Sequence, residues 1–307
     1  MRCLLIVDGH AYAYRAFYAI RELRSPSGRA TNAIFGFIKA LAKLRAALAA
    51  RVGAGDAALV TVVVWDGGLS AERMAALPGY KAQRPEMPAD LSSQIGEIGE
   101  WLKAEGLASV CQDGVEADDL IATLARRAAR AGASVVIASS DKDFMQLVSP
   151  EIGLLNPNDK SESVWAAERV REKSGVAPEQ IVDWLSLVGD SVDNIPGVAG
   201  VGTKTAAALL AEFGSVAGLY RRLDDVKSER VRGALAAAAA DVRRNQELVR
   251  LKDDLPCGLE LDDLAGRPAD LDKLAELFGR WGFRLMLAAV ESARGRQPAA
   301  GAELALA

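Results

Sequence analysis

The order of hydrophobic and polar positions divides the chain into two parts. Up to about residue 165, short β-branched runs alternate with longer stretches rich in alanine and leucine. Alternation of this kind is typical of a mostly parallel sheet flanked by helices, so the predicted fold class is α/β. The runs predict strands at residues 3–7, 59–65, 109–111, 134–138 and 152–155, and the longer stretches predict helices over 32–50, 91–105 and 117–131.

The second part of the chain is almost wholly helical in its pattern. It is interrupted by a stretch with glycine and proline at 194–202. We predict a catalytic domain over 1–165 and a helical domain over 166–291. The remaining residues, 292–307, are rich in alanine, glycine and proline, and we expect them to form a flexible tail.

One connection in the first part is unusually long. The residues between the second predicted strand and the helix that follows, at about 67–90, include Lys81 and Arg84 together with several prolines. A connection of this length inside a compact domain usually has a function or is disordered. Lys81 and Arg84 are three positions apart, so a helix would present both on one face. Both could place positive charge on a phosphate, although a solvated basic loop is the alternative.

Acidic residues follow four of the five predicted strands. Because ligands bind beyond the carboxyl ends of parallel strands, we expect these side chains to meet at one edge of the sheet. Two further acids lie where the predicted helix over 180–188 ends, three positions apart, which would place them on one face of a continued turn. The complete set is Asp8, Asp66, Glu116, Asp118, Asp119, Asp141, Asp143, Asp190 and Asp193.

Each acid alone could be a helix cap or a solvated turn residue. Together they would repel one another strongly unless cations cancelled their charge. Carboxylate ligands without histidine or cysteine favour Mg²⁺, with Mn²⁺ as a substitute, over zinc. Two such ions suit phosphoryl chemistry, in which one activates water and the other stabilises the leaving oxygen. The single histidine, His10, is better explained by packing at the sheet edge than by acid catalysis.

A second candidate site is the glycine-rich stretch before the helix predicted over 206–213. Its glycines allow backbone N–H groups to approach a phosphate. A nucleotide-binding P-loop is disfavoured because Thr203 separates the last glycine from the lysine and no strand precedes the stretch. A helix–hairpin–helix that binds a DNA backbone fits better, with an ordinary helix–helix turn as the alternative. The candidate contacts are Gly197, Gly200, Gly202, Lys204 and Thr205.

Composition sets limits on these expectations. The chain of 307 residues has a net charge of −4, with 41 acids and 37 bases, which at first argues against nucleic acid. With the nine clustered acids neutralised by metal, 32 acids remain and the balance becomes positive, compatible with phosphate binding. No apolar run is long enough to cross a membrane. We expect a cytoplasmic protein, and the family resemblance described next implies a monomer of the bacterial cytoplasm that is associated with the nucleoid.

The motifs, in their order and spacing over nearly 300 residues, resemble the 5′ nuclease domain of bacterial DNA polymerase I, within the flap endonuclease superfamily. The residues that carry the resemblance are Val7-Asp8-Gly9-His10 with Tyr14-Arg15, Thr31-Asn32-Ala33-Ile34-Phe35-Gly36-Phe37, Trp65-Asp66, Gly79-Tyr80-Lys81-Ala82-Gln83-Arg84, Glu116-Ala117-Asp118-Asp119, Asp141-Lys142-Asp143 and Gly189-Asp190-Ser191-Val192-Asp193-Asn194-Ile195-Pro196-Gly197.

This resemblance implies a PIN-like core, a helical arch over the site and a helix–three-turn–helix module. It implies Mg²⁺-dependent hydrolysis of 5′ ends, 5′ flaps and RNA primers, with a separate DNA polymerase as a candidate partner for a free-standing nuclease. In the family, the first metal is held by the counterparts of Asp8, Asp66, Glu116, Asp118 and Asp119, and the second by those of Asp141, Asp143, Asp190 and Asp193.

The resemblance also implies roles for other residues. Lys81 and Arg84 match the catalytic arch cations, acting with Asp8 and Asp66, and Tyr80 matches a partner for base stacking. Val198 and Val201 match a backbone site for K⁺. Tyr14 and Arg15 are further candidates for DNA contact, with core packing as the alternative for Tyr14. Two other functions stay open: a silent DNA-junction binder and a PIN-type ribonuclease.

Overall fold

Five parallel strands form the centre of the computed structural model, which describes residues 3–52, 59–161 and 163–296. Their order is β3-β2-β1-β4-β5, and every strand lies within one residue of its prediction. The mostly parallel α/β fold is therefore confirmed. The strands are β1 Cys3–Asp8, β2 Leu59–Trp65, β3 Ala108–Cys111, β4 Ser134–Ala138 and β5 Ile152–Leu155.

The helices of the first part cover both faces of this sheet. Helix α1 follows β1 without a break, and the sequence pattern did not predict it. Asp8 begins it as the N-cap, because its side chain accepts a hydrogen bond from the Ala11 N–H. A short 3₁₀ helix over Lys142–Leu147 follows β4. The α-helices are α1 Gly9–Ala19, α2 Asn32–Val52, α3 Ala71–Ala76, α4 Ala89–Ala104 and α5 Ala117–Arg130.

The second part is helical, as predicted. Helix α8 begins three residues before the predicted start, so Lys204 and Thr205 lie in its first turn. Helix α13 runs to Arg294, into the stretch expected to be a flexible tail, and residues 297–307 lie outside the described residues. The helices are α6 Ala167–Ser174, α7 Ile181–Val188, α8 Thr203–Phe213, α9 Val216–Arg221, α10 Glu229–Ala237, α11 Ala239–Val249, α12 Leu271–Trp281 and α13 Arg284–Arg294.

Strand β1 is the centre of the core, because all six of its residues are buried. Leu4 and Ile6 pack with α5 and the helices of the second part, whereas Leu5 and Val7 face α1, α2 and α4. Helix α12 and the residues after it return to this second face, where the rings of Phe35 and Phe283 are 5.2 Å apart. The two predicted domains therefore share continuous apolar cores.

The long connection is folded differently from the helical arch that the resemblance implied. Only six of its residues are helical, in α3, and the remainder up to α4 forms turns and extended backbone. Arg73, Tyr80 and Lys81 are buried, so the segment packs onto the site. Among the residues that the structure describes, none of the helices combines the length and the apolar composition that crossing a bilayer requires.

Asn245 in α11 joins three pieces of the helical part. Its amide donates hydrogen bonds to the carbonyl oxygens of Ser186 in α7, at 3.2 Å, and of Pro196 before the hairpin, at 2.7 Å. Asn245 is 1% exposed and Ser186 is fully buried, so water cannot replace the bond between them.

We therefore expect Asn245→Ala to lower the free energy of unfolding by about 2–4 kcal/mol, because the buried Ser186 carbonyl and the Pro196 carbonyl both lose their donor. The measurement is chemical denaturation followed by circular dichroism. The neighbouring exposed residue provides the control, since Glu247→Ala should change stability by less than about 0.5 kcal/mol. Equal stability of both variants would contradict the proposed role of Asn245.

Candidate metal centre

Three central strands deliver acids to the carboxyl edge of the sheet. Asp8 is the last residue of β1, Asp66 follows β2, and Asp141 follows β4. These strands are neighbours in the sheet. The N-terminal end of α5 adds Glu116 and Asp118 at the same edge, where the Ala117 N–H donates to Asp66 Oδ1 at 3.2 Å.

Three of the nine acids approach closely enough to share one ion. Oxygen atoms of Asp143, Asp190 and Asp193 lie within 4.8 Å of one another. The Oδ1 atom of Asp143 is buried and has no hydrogen-bond partner among the described residues. A buried carboxylate oxygen without a donor is costly unless a cation neutralises it. The residues present therefore fit a hard divalent ion with oxygen ligands.

Asp190 and Asp193 do not lie on a continued helical turn, as their spacing suggested. Helix α7 ends at Gly189, and the next residues form a tight loop. Asp190 and Ile195 close this loop by exchanging two backbone hydrogen bonds, at 2.8 and 2.7 Å. The loop turns both carboxylates towards Asp143.

Several of the nine acids lie close enough together to raise one another's pKa. Burial is the main cause that raises the pKa of Asp8 to about 6, and the charges of Asp141 and Asp66 add to it. Loss of hydration, followed by the charge of Asp141, raises the pKa values of Asp118 and Asp143. Asp8, Asp118 and Asp143 thus share one acidic site in which their ionised forms are destabilised without added cations.

Cations of the protein neutralise part of this group. The Lys81 ammonium contacts Glu116 and is 3.9 Å from Asp193. Arg84 pairs with Asp193 at 2.6 Å. Burial alone would raise the pKa of Glu116, but the Lys81 ammonium and further donors outweigh it and lower that pKa. Lys81 and Arg84 therefore lie within the acidic group in this structure.

Asp119 is placed differently from the other predicted ligands. Both of its oxygens accept hydrogen bonds from the Arg73 guanidinium, at 2.8 and 2.7 Å, and one also accepts the Lys252 N–H. Arg73 further donates to the carbonyl oxygens of Leu248 and Arg250 in the helical part. Both oxygens of Asp119 are thus occupied by these donors. Asp119 therefore holds Arg73 in place in this structure and is not one of the metal ligands.

Tyr80 also departs from its predicted role. Its ring is 4% exposed and its hydroxyl donates to Glu116 at 3.0 Å, so it is not available for base stacking in this structure. The segment that contains Tyr80 is hydrogen-bonded to the loop after α7. The Lys81 N–H donates to the Asp193 carbonyl at 3.0 Å, and the Asn194 amide donates to the Gly79 carbonyl at 2.7 Å. Lys81 and Asn194 both have positive φ, a strained conformation that is common at functional sites.

Two residues near the acids were not singled out as site residues. The Ser139 hydroxyl donates a hydrogen bond to Asp8 Oδ2 at 2.8 Å. Its position two residues before Asp141 is the sequence feature that could have identified Ser139 as a site residue. His10 packs edge-on against Trp65, and its Nδ1 accepts the Asp66 N–H at 3.2 Å. His10 therefore orients Asp66, in agreement with packing at the sheet edge.

The candidate DNA contacts lie on two other surfaces. Tyr14 is half-buried and stacks on the exposed Tyr18, with ring centroids 6.4 Å apart. Arg15 is exposed and donates to the Pro157 carbonyl. In the hairpin, Gly197, Gly200, Gly202 and Lys204 are exposed and Thr205 is half-buried, whereas the side chains of Val198 and Val201 are buried and their backbones are joined by a 2.9 Å hydrogen bond.

Comparison with known families identifies both parts of the chain. Residues 3–175 match the model of the 5′-3′ exonuclease N-terminal resolvase-like domain. Residues 176–272 match the 5′-3′ exonuclease C-terminal SAM fold. A 5′-3′ exonuclease of Aquifex aeolicus is 38% identical over 276 residues, which cover 90% of this chain and 91% of that protein.

DNA polymerases are also similar over nearly the whole of this chain. DNA polymerase I of Bacillus caldotenax is 36% identical over 291 residues, and the thermostable DNA polymerase I of Thermus thermophilus is 39% identical over 284 residues. These matches cover 94% and 92% of this chain but only 32% of each polymerase. The chain therefore spans about a third of the length of these relatives.

Solved structures share the fold. A zinc-bound T5 5′-exonuclease has a TM-score of 0.66 at 23% identity, covering 95% of this chain and 99% of that one. The catalytic core of Rad2 in complex with DNA has a TM-score of 0.58 at 17% identity, covering 94% and 92%. The chain belongs to the 5′-3′ exonuclease family. Its resemblance to the nuclease part of DNA polymerase I is confirmed, and with it the expectation of a 5′-3′ exonuclease.

The different surroundings of Asp143 and Asp119 predict opposite responses to the same substitution. Asp143→Asn removes one of several clustered charges, so the metal-free protein should keep or gain stability while Mn²⁺ affinity falls at least about tenfold. Asp119→Asn weakens the pairing of a buried guanidinium, so it should cost about 2–4 kcal/mol of stability while Mn²⁺ affinity changes little.

Chemical denaturation without metal and isothermal titration with Mn²⁺ measure the two effects on the same preparations. An Asp119→Asn variant that loses Mn²⁺ affinity as strongly as Asp143→Asn would return Asp119 to the ligand set.

Proposed function

We propose that this protein is a metal-dependent 5′-3′ exonuclease and 5′-flap endonuclease that hydrolyses phosphodiester bonds in DNA, and in RNA primers paired with DNA. The observation that supports this most directly is the cluster of Asp143, Asp190 and Asp193 with its unpartnered buried oxygen. It lies at the carboxyl edge of a parallel sheet, where open α/β folds bind ligands. The T5 and Rad2 structures, described with metal ions and with DNA, agree with this proposal.

Two groups of acids would hold Mg²⁺, or Mn²⁺ in its place. Asp8, Asp66, Glu116 and Asp118 would hold one ion, and Asp141, Asp143, Asp190 and Asp193 the other. Bound there, divalent ions supply an activated water and stabilise the leaving oxygen. The protein contributes the orientation of the ligands, through the Ala11 and Ser139 donors to Asp8 and the Ala117 donor to Asp66.

The cations of the connection would act on the substrate. Lys81 and Arg84 are the counter-cations of Glu116 and Asp193 in this structure. When substrate enters, they would exchange these carboxylates for the scissile phosphate and stabilise its developing charge. The strained backbone at Lys81 suits a residue that changes its contacts.

Other surfaces would position the DNA. The hairpin at 197–205 would bind the backbone of a duplex, with K⁺ held by backbone atoms near Val198 and Val201. Tyr14 and Arg15 would contact nucleotides close to the site, since both lie in α1, the helix that begins at Asp8. A DNA polymerase is a candidate partner, because the chain matches about a third of the length of two DNA polymerases I.

Two other functions are less consistent with these observations. A silent junction binder would have no need for buried carboxylates that raise one another's pKa. A PIN-type ribonuclease would not need the hairpin module that the match to the C-terminal exonuclease model covers.

One assay separates these functions. The protein is incubated with a labelled 5′-flap DNA, a blunt duplex and single-stranded RNA, each with Mg²⁺ or with EDTA. We expect Mg²⁺-dependent cleavage of the flap and no activity in EDTA. Flap binding without cleavage would support the silent binder, and cleavage of RNA alone would support the ribonuclease.

We expect Lys81→Ala to slow single-turnover cleavage by about 100-fold or more at saturating Mg²⁺, with a much smaller loss of flap affinity, because its contact strengthens in the transition state. Rapid-quench kinetics and fluorescence anisotropy measure the two effects. Lys103→Ala, which removes an exposed lysine at the end of α4, is the control. Equal losses of rate and affinity would make Lys81 a docking residue.

A further inference from the structure

Arg230, at the start of α10, lies against the hairpin at 197–205. A Cβ atom added to Gly200 would be 2.7 Å from Arg230 Nη1, 3.2 Å from Cζ and 3.3 Å from Nη2. The guanidinium therefore occupies the space that a side chain at position 200 would need. Gly200 also has φ +77°, so two constraints favour glycine there: the turn and the arginine above it.

The fold fixes the place of this arginine. Ser228 begins α10 as the N-cap and accepts a hydrogen bond from the Val231 N–H. Val226 and Val231, on either side of the helix start, are buried in the core. These anchors hold the backbone of Arg230 beside the hairpin while the side chain stays exposed.

The charge of Arg230 is not compensated by the protein. It forms no hydrogen bond or ion pair with any residue in the described part of the chain, although nearby arginines do: Arg222 pairs with Asp225, and Arg232 donates to the Val226 carbonyl. Arg230 also lies in the first turn of α10, where the helix dipole disfavours a cation. Lys204 has the same unfavourable position in the first turn of α8 and is also exposed.

The hairpin backbone beneath the guanidinium offers free donors. The N–H groups of Ala199, Gly200 and Gly202 donate to no atom of the described residues, and these residues are exposed. Exposed N–H groups in a hairpin that contacts the uncompensated Arg230 and leads directly into the helix that carries Lys204 suit an anion with several oxygen atoms. A phosphodiester of a DNA duplex has this chemistry, and it is the ligand that the proposed function brings to this hairpin.

We propose that Arg230 is a second phosphate-binding cation of the hairpin, which together with Lys204 holds the backbone of double-stranded DNA. This inference rests on the proposed function. Arg230 has no contact with the clustered acids among the described interactions, so it acts on binding and not on the chemical step. It acts without sequence preference, because backbone phosphates are the same at every base pair.

The test is fluorescence anisotropy of a labelled blunt duplex in EDTA, over a series of KCl concentrations. Arg230→Gln should weaken duplex binding by about fivefold and lower the slope of log affinity against log salt by about one, because one phosphate contact is lost. Arg230→Lys should restore the slope. Single-turnover cleavage of a 5′ flap at saturating Arg230→Gln protein should match the wild type.

Arg130→Gln is the matched control, because it removes one exposed arginine at the far end of α5. It should leave both affinity and salt slope unchanged, and thermal unfolding of all variants should coincide. Binding by Arg230→Gln that equals the control would overturn the proposal. Wild-type protein that binds duplex but cleaves no substrate would instead contradict the proposed function, while the effect of Arg230 on duplex binding would still be measured.

Discussion

Repulsion among carboxylates at one edge of the sheet is the constraint on which the rest of the site depends. Asp8, Asp118 and Asp143 all have raised pKa values, chiefly because they lose hydration, and the negative charge of Asp141 raises all three further. A fold can hold such a group only if cations compensate it and hydrogen bonds hold its members in place. Both devices are present: donors from Ser139 and from two helix starts orient the acids, and buried cations lie among them.

The compensating cations also join the two parts of the chain. Lys81 and Arg84 come from the connection after β2, but Asp193 belongs to the loop after α7. Arg73 comes from the same connection and bridges Asp119 of the sheet domain to carbonyl oxygens at the end of α11. The connection after β2 therefore neutralises part of the acidic charge at the site and also binds the helical part to the sheet domain. Movement of this segment would change the charge of the site and the contact between the domains together.

The DNA-binding role proposed for the helical part accounts for the different arrangement of its charges. At the metal centre, Glu116, Asp190 and Asp193 are buried and pair with cations of the protein. At the hairpin, Lys204 and Arg230 are exposed and have no partner among the described residues, and both lie at helix starts that disfavour positive charge. This arrangement costs stability in the free protein, and a bound phosphate backbone would recover it. The overall net charge of −4 hides this separation of acidic and basic surfaces.

Local patterns in the sequence determined the strands, five of the helices, the helical character of the second part and the acids that follow the strands. β-Branched runs between helical stretches define a parallel sheet, and an acid directly after such a run must lie at its carboxyl edge. The order of the motifs also predicted the family. These features depend on residues that are close together along the chain, and their order can be read from the sequence.

Only the tertiary structure decided how the predicted site residues are used. Asp118 and Asp119 are adjacent in sequence, yet Asp118 faces the other acids and Asp119 faces Arg73, because successive positions on a helix point in different directions. Tyr80 and Lys81 were expected on an open arch, but their segment packs onto Glu116 and Asp193. Arg230 reaches Gly200 from a helix thirty positions away along the chain. Such contacts depend on which distant elements the fold brings together, and no local pattern records them.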